Sequence, residues 1–255
     1  MTLPVHTIAV IDFETTGMSP SQGARATEIA AVLLRDGEVV GRYQSLMRSG
    51  AWVPPFIEQL TGISNRMLAS APPAEQVMRE VSAFTRGCAL VAHNASFDRG
   101  FWHAERRLAG IGAGFDCTGL GEASERDSAS TDVPHDASSD PSSDASMGAA
   151  SQAPAPAPTG SAFACTLLLA RRLYPSAPNH RLGTLAALHG IRATGRAHRA
   201  MADADMAAQL WLQIAADVQR RWSPPGGTTF ELLARLQACP RAKLERWMGA
   251  LAVAC

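Results

Sequence analysis

The chain has 255 residues, enough for one large domain or two small ones, and its 23 Lys+Arg balance 23 Asp+Glu to a formal net charge of zero. No apolar run approaches the roughly 18 residues of a membrane span, and the opening MTLPVHTIAVIDFETTG lacks the basic start of a secretion signal. Five widely spaced cysteines without a CxxC pair read as reduced thiols of a cytoplasmic protein and give no zinc site.

The neutral total conceals an uneven distribution. Between Thr118 and Ala162 seven acids face one base, Arg126, a net −6, while the other 210 residues hold 22 bases and 16 acids, or +6. A moderately basic body is joined to an acidic stretch.

HTIAVIDFETTG, apolar and β-branched before a Thr-Gly turn, predicts a strand. EIAAVLLRDGEVVGRYQSLM predicts a hairpin turning at Arg35-Asp36-Gly37-Glu38. Val77, Val81 and Phe84 give Ala74 to Phe84 helical spacing. CALVAHN reads as a short buried strand, and Ser96 to Leu108 as a helix.

The segment 118–162 is mostly Ser, Ala, Asp, Gly and Pro. It offers too few large apolar side chains to offset its ordering entropy, so a disordered insertion is expected there. Its role reads either as neutral loop expansion or as an acidic competitor for nucleic acid at a basic groove. CTLLLARRLYP then predicts a helix stopped by Pro175, and LGTLAALHG another ended by Gly190. A long helix from Arg199 to Arg221 should bury Ala204, Ala207, Trp211, Ile214 and Val218. After the linker Ser223-Pro-Pro-Gly-Gly come two short amphipathic helices. The expected organisation is one domain over 1–117 and 163–222, the insertion 118–162, and a helical tail over 223–255. Three antiparallel strands followed by alternating helices and strands predict an α/β or mixed-sheet domain.

Four acids and a histidine fall at element ends. Asp12 and Glu14, two apart on a strand, share one face of the sheet and repel each other, which a divalent cation would relieve. Asp98 in VAHNASFD opens a helix, where the helix dipole alone would favour an acid. His198 precedes Asp203 by five residues in GRAHRAMADADM, and Asp205 should turn away from Asp203. Taken singly, each group reads as an ordinary strand end, helix start or surface loop.

In this order the set resembles the DnaQ-like 3′→5′ exonucleases of the DEDDh subgroup, among them the proofreading subunit of a replicative polymerase. The matching residues are Asp12 and Glu14 in VIDFETTG, Asp98 in AHNASFD, and His198 with Asp203 in HRAMAD. IEQLTGISNRML with Ala71-Pro72, and CTLLLARRLYP with NHRLGTLA, match secondary patterns. The resemblance covers about residues 7 to 215 apart from the insertion.

It implies an RNase H-like fold, a five-stranded mixed sheet with helices on both sides. It also implies phosphodiester hydrolysis with two Mg²⁺ or Mn²⁺ ions, typically roughly 3.5–4 Å apart, held by Asp12, Glu14, Asp98 and Asp203. Hard oxygen ligands suit those ions better than zinc. His198 is implied as general base, since an ordinary histidine pKa of about 6.5 lets it take a proton at neutral pH. By the same resemblance Thr15, Thr16, Gly17, Thr61 and Asn94 border the terminal nucleotide.

The implied partner is the 3′ end of nucleic acid, with single-stranded DNA or 3′ overhangs favoured over RNA, and no membrane. The tail is a candidate tether to a polymerase subunit, and its bland reading is a helical pair packed on the domain. Two alternatives stay open: an assembly or nucleic-acid-binding module with the nuclease fold, and an RNA-directed exoribonuclease. Oligomeric state is open too, although several related enzymes act as dimers.

Overall fold

The computed structural model describes residues 7–112, 163–193 and 195–253. The acidic segment 118–162 lies outside the described residues. Five strands form one sheet: β1 (Ile8–Thr15), β2 (Ala26–Arg35), β3 (Glu38–Leu46), β4 (Ala89–Ala92) and β5 (Phe163–Cys165). Their order is β3-β2-β1-β4-β5. β1 to β3 pair antiparallel, and β4 and β5 add in parallel. This is the mixed sheet that the resemblance implies.

Local sequence explains the hairpin. Asp36 and Gly37 both take positive φ, 53° and 85°, the tight turn that matches strand twist and that Asp-Gly favours. The helices are α1 (Pro55–Thr61), α2 (Asn65–Ala69), α3 (Ala74–Phe84), α4 (Ala95–Leu108), α5 (Thr166–Leu173), α6 (Leu182–Leu188), α7 (Ala200–Trp222), α8 (Phe230–Leu236) and α9 (Leu244–Val253). Among the described residues no helix is long and apolar enough to cross a membrane.

Period-two alternation sends each strand's side chains to two cores. Ile8 and Val10 of β1, with Ala30, Val32 and Leu34 of β2, pack with Ala204, Trp211 and Ile214 of α7. Ala9, Ile11 and Phe13 go to the opposite face, with Val77 and Val81 of α3 and Phe101 of α4.

The last two helices belong to the α7 side. Phe230, Leu233, Leu236, Leu244 and Met248 are buried in that core. Between them, the Gln237 amide oxygen accepts from the Cys165 N–H at 2.7 Å, and its nitrogen donates to the Phe163 carbonyl at 3.0 Å. A side chain thus satisfies the outer edge of β5, which would otherwise present unpaired backbone groups. Asp205 does turn away from Asp203, yet it is buried rather than solvated, because Arg42 on β3 donates to it at 2.9 Å.

Candidate active site

The apolar row of β1 that faces α7 ends in carboxylates. Alternation places Asp12 and Glu14 in line with Ile8 and Val10. β4 pairs with β1 only through Val10, which frees the N–H of Phe13 further along the strand. That N–H donates to Asp98 Oδ1 at 3.1 Å. Asp98 sits in the first turn of α4, only 2 % exposed, and Asn94, at φ 69°, turns the chain from β4 into that helix.

α7 brings the remaining pair. His198 precedes the helix with φ 60°, and its backbone N–H donates to Asp203 Oδ2 at 3.1 Å. Glu14, His198 and Asp203 each offer a ligand-type atom, and these atoms lie within 4.8 Å of one another. Segments up to 191 residues apart in the chain therefore meet at one end of the sheet.

Gathering carboxylates here has an electrostatic cost. Burial, then the charges of Asp98, Glu14, Asp203 and Glu28, hold Asp12 well above the usual carboxylate range. Glu14 is pushed up to about 8 by burial, then by Asp203 and Glu28, with Arg199 opposing. Burial likewise raises Asp98, against the Phe13 hydrogen bond that favours its charged form. Asp203 is raised by burial, with the His198 N–H pulling the other way. Such a site holds protons unless cations replace them. Hard oxygen donors crowded in this way fit a divalent ion such as Mg²⁺ or Mn²⁺.

Asp12, Asp203 and His198 line a cleft of about 1070 Å³ that Arg171 and Arg181 also line. Of the five residues expected beside the nucleotide, Asn94 lines this cleft. The others shape backbone. Thr15 donates to the Gly17 carbonyl, and Thr16 accepts from the Arg25 N–H. Thr61 is buried, donates to the Ile57 carbonyl and accepts from the Ile63 N–H. A Cβ on Gly17 would come to 3.3 Å from that of Ala24, so the turn leaves little room there.

Sequence reasoning missed two residues of the site, one on the cleft wall and one buried behind it. His93 packs at the cleft with Nε2 at 3.0 Å from the His180 carbonyl and Nδ1 at 2.9 Å from the Thr166 hydroxyl. A carbonyl can only accept, so Nε2 carries the proton and Nδ1 accepts from Thr166. Burial drives the His93 pKa down to about 4. Glu28 is the other. Its signal was a charge at the head of the buried row Glu28, Ala30, Val32, Leu34.

A fold and a carboxylate cluster of this kind define a class of hydrolytic domain, and sequence comparison places the chain within it. The model of the exonuclease family RNase_T matches residues 9–111 and 143–211, and the chain belongs to that family. All five motif residues fall inside the matched ranges. The chain is 38% identical over 147 residues to the 3′-5′ exonuclease DinG of Bacillus subtilis, covering 51% of this chain and 16% of DinG. It is 33% identical over 212 residues to the PolC-type DNA polymerase III of Halalkalibacterium halodurans, covering 83% of this chain and 12% of that protein. It thus spans less than a fifth of the length of either relative. Among solved structures, Exonuclease X in complex with 5′-overhanging duplex DNA shares the fold with a TM-score of 0.57 at 22% identity, covering 90% of this chain and 99% of that one.

Proposed function

We propose that the chain is a divalent-metal-dependent exonuclease that releases nucleoside monophosphates from the 3′ end of nucleic acid, with single-stranded DNA or 3′ overhangs as preferred substrates. The observation that carries this reading is the convergence of Asp12, Glu14, Asp98, His198 and Asp203 at one end of the sheet, with Asp12, Asp203 and His198 on the cleft wall.

Asp12, Glu14, Asp98 and Asp203 would hold two Mg²⁺ or Mn²⁺ ions. When bound, such ions supply positive charge that stabilises the attacking and departing oxygens of an in-line displacement. His198, exposed at the cleft, takes the proton of the attacking water. Asp203 accepts the His198 backbone N–H and so orients the turn that presents the imidazole. Asn94 and the lining bases Arg171 and Arg181 would receive the sugar–phosphate chain, and the presence of those bases beside the carboxylates supports a nucleic-acid substrate.

The test is degradation of 5′-labelled DNA and RNA oligonucleotides of matched sequence with Mg²⁺, Mn²⁺ or EDTA. A metal-dependent ladder of one-nucleotide steps is expected, faster on DNA. His198→Ala should slow it roughly 10²- to 10⁴-fold, and Asp12→Ala should abolish it, both with the fold intact. Wild-type activity in either variant would sink the reading.

Association with a polymerase is a second reading, supported by the match within a PolC-type polymerase. The tail is one candidate carrier. Because the apolar residues of α8 and α9 point into the domain's own core, such a contact would use a different surface.

A further inference from the structure

Glu28 lies directly opposite Glu14 in the antiparallel β1–β2 pair, on the face toward α7, and is 1 % exposed. Like charges placed opposite each other across strands are destabilising. Burying one of them completely requires compensating partners. Glu28 has four. Its Oε1 accepts from Arg199 Nη2 at 2.7 Å and from Gln44 Nε2 at 2.8 Å. Its Oε2 accepts from Arg199 Nε at 3.0 Å and from the Ala200 backbone N–H at 3.1 Å.

Two of those partners define one joint in the chain. Arg199 is the residue between His198 and α7, and Ala200 is the first residue of that helix. Arg199 offers no side-chain cap of its own to α7, so the carboxylate of Glu28 reaches across from β2 to bind a free N–H at the helix start. Immediately before this joint His198 adopts φ 60°, a conformation unfavourable for a residue with a Cβ. The surrounding structure must impose it. Asp203 holds the backbone of that turn from the helix side. The Glu28–Arg199 fork holds it from the sheet.

We infer that Glu28 and Arg199 are positioning residues for the hydrolysis. Without touching substrate, they fix the left-handed turn at His198 and the start of α7, so that the imidazole and Asp203 stay in register with Glu14 on β1. The inference rests on the hydrolytic reading of the site.

The molecule supplies its own control. Arg25 forms the same kind of fork on Glu105, and the Ala26 N–H completes it. The experiment compares Arg199→Lys, Glu28→Gln and Arg25→Lys. It measures kcat and KM on a labelled oligonucleotide with Mg²⁺, the melting temperature, and hydrogen–deuterium exchange of residues 196–203 in metal-free protein. Lysine keeps the charge beside Glu28 but cannot make the two-pronged contact. Arg199→Lys and Glu28→Gln should lower kcat roughly 10- to 100-fold, the usual range for outer partners of a catalytic cluster. KM should stay near wild type, and exchange in 196–203 should quicken. Arg25→Lys should leave kcat and that exchange at wild-type values.

Wild-type kcat in Arg199→Lys would overturn the inference. So would a loss carried by KM, or an equal kcat loss in Arg25→Lys. If Glu28→Gln does not fold, Arg199→Lys decides. If wild-type protein cleaves neither DNA nor RNA, the hydrolytic reading has failed, and the exchange comparison still tests whether the fork holds the turn.

Discussion

Two buried glutamates in this chain are satisfied in the same way and do different work. Glu105 on α4 takes the Arg25 fork at 2.9 Å on each oxygen, plus the N–H of the next residue, Ala26. Glu28 on β2 takes the Arg199 fork plus the N–H of the next residue, Ala200. In both, an arginine and its successor's amide clamp one carboxylate that is at most 2 % exposed. The Glu105 clamp ties the start of β2 to the second half of α4, seven residues, or roughly 10 Å of helix, beyond Asp98. The Glu28 clamp closes beside Glu14 and one residue from His198. Identical chemistry reads as scaffold in one place and as site geometry in the other, and the neighbours make the difference.

The largest expected effect separates the two. Glu105→Ala removes one partner of a buried pair and should cost about 3–5 kcal/mol in stability, measured by urea unfolding. The fraction that remains folded should keep its kcat with saturating Mg²⁺. A kcat loss in that fraction comparable to that of Glu28→Gln would show that both clamps serve the site and would erase the contrast.

Much of this architecture was legible in the sequence, for identifiable reasons. The Asp36-Gly37 turn, the spacing of α3 and the long apolar stripe of α7 are local signals, and each element falls within a residue or two of its expected bounds. β5 was not legible. Phe163–Cys165 is only three residues long and runs straight into α5, so alternation has no length in which to show itself. α1 and α2 are seven and five residues long, too short for a helical period. The five motif residues could be found because their order along the chain resembles a family, although singly they look ordinary. Arg199 lies 171 residues from Glu28, and Thr166 and His180 lie 73 and 87 residues from His93, so only the tertiary structure brings those partners near.

His93 sharpens the comparison from the opposite side, because it is a half-buried polar group held neutral instead of paired with a charge. Its pKa lies at about 4 against an ordinary 6.5. The folded protein therefore resists protonation that the unfolded chain accepts. The stability this represents is complete above pH 6.5 and is lost as the pH falls through the folded value near 4. It amounts to about 3 kcal/mol at full loss. Unfolding at pH 7 and pH 4.5 should show wild type losing more stability than His93→Gln. Equal losses would mean that His93 stays solvated when folded.

The carboxylates shift the other way. Glu14 titrates at about 8, and Asp12, Asp98 and Asp203 are all raised. Their stability in metal-free protein is present below the ordinary carboxylate range and is lost as the pH rises through about 8. Divalent ions should restore it. With Mg²⁺ at about 100 times its Kd, the gain should reach about 3 kcal/mol and be greater at pH 8.5 than at pH 5.5, where binding must first displace protons. Calorimetric melts with and without Mg²⁺ at the two pH values measure this. The same gain at both would contradict the protonated metal-free site. Asp12→Asn should raise the metal-free melting temperature while removing activity, since it discharges the most crowded carboxylate.

The smallest effect concerns the strand that leads away from the carboxylates. The cleft and a neighbouring groove of about 270 Å³ share Asn94, Leu167 and Arg171. The groove adds Arg99, and among the described residues no acid lines it. On the proposed reading, polarity would change from acidic at the reacting phosphate to basic along the groove, as a polyanion entering from that side requires. Arg171→Ala should raise KM for oligonucleotides a few-fold, leave kcat unchanged and lower the slope of log K against log salt by about 1. Hydrolysis of a nucleoside 5′-monophosphate aryl ester should not change, because that substrate has no second phosphate to place at Arg171. If both substrates respond equally, Arg171 acts on the reacting phosphate itself, and the basic groove is not the track of the strand.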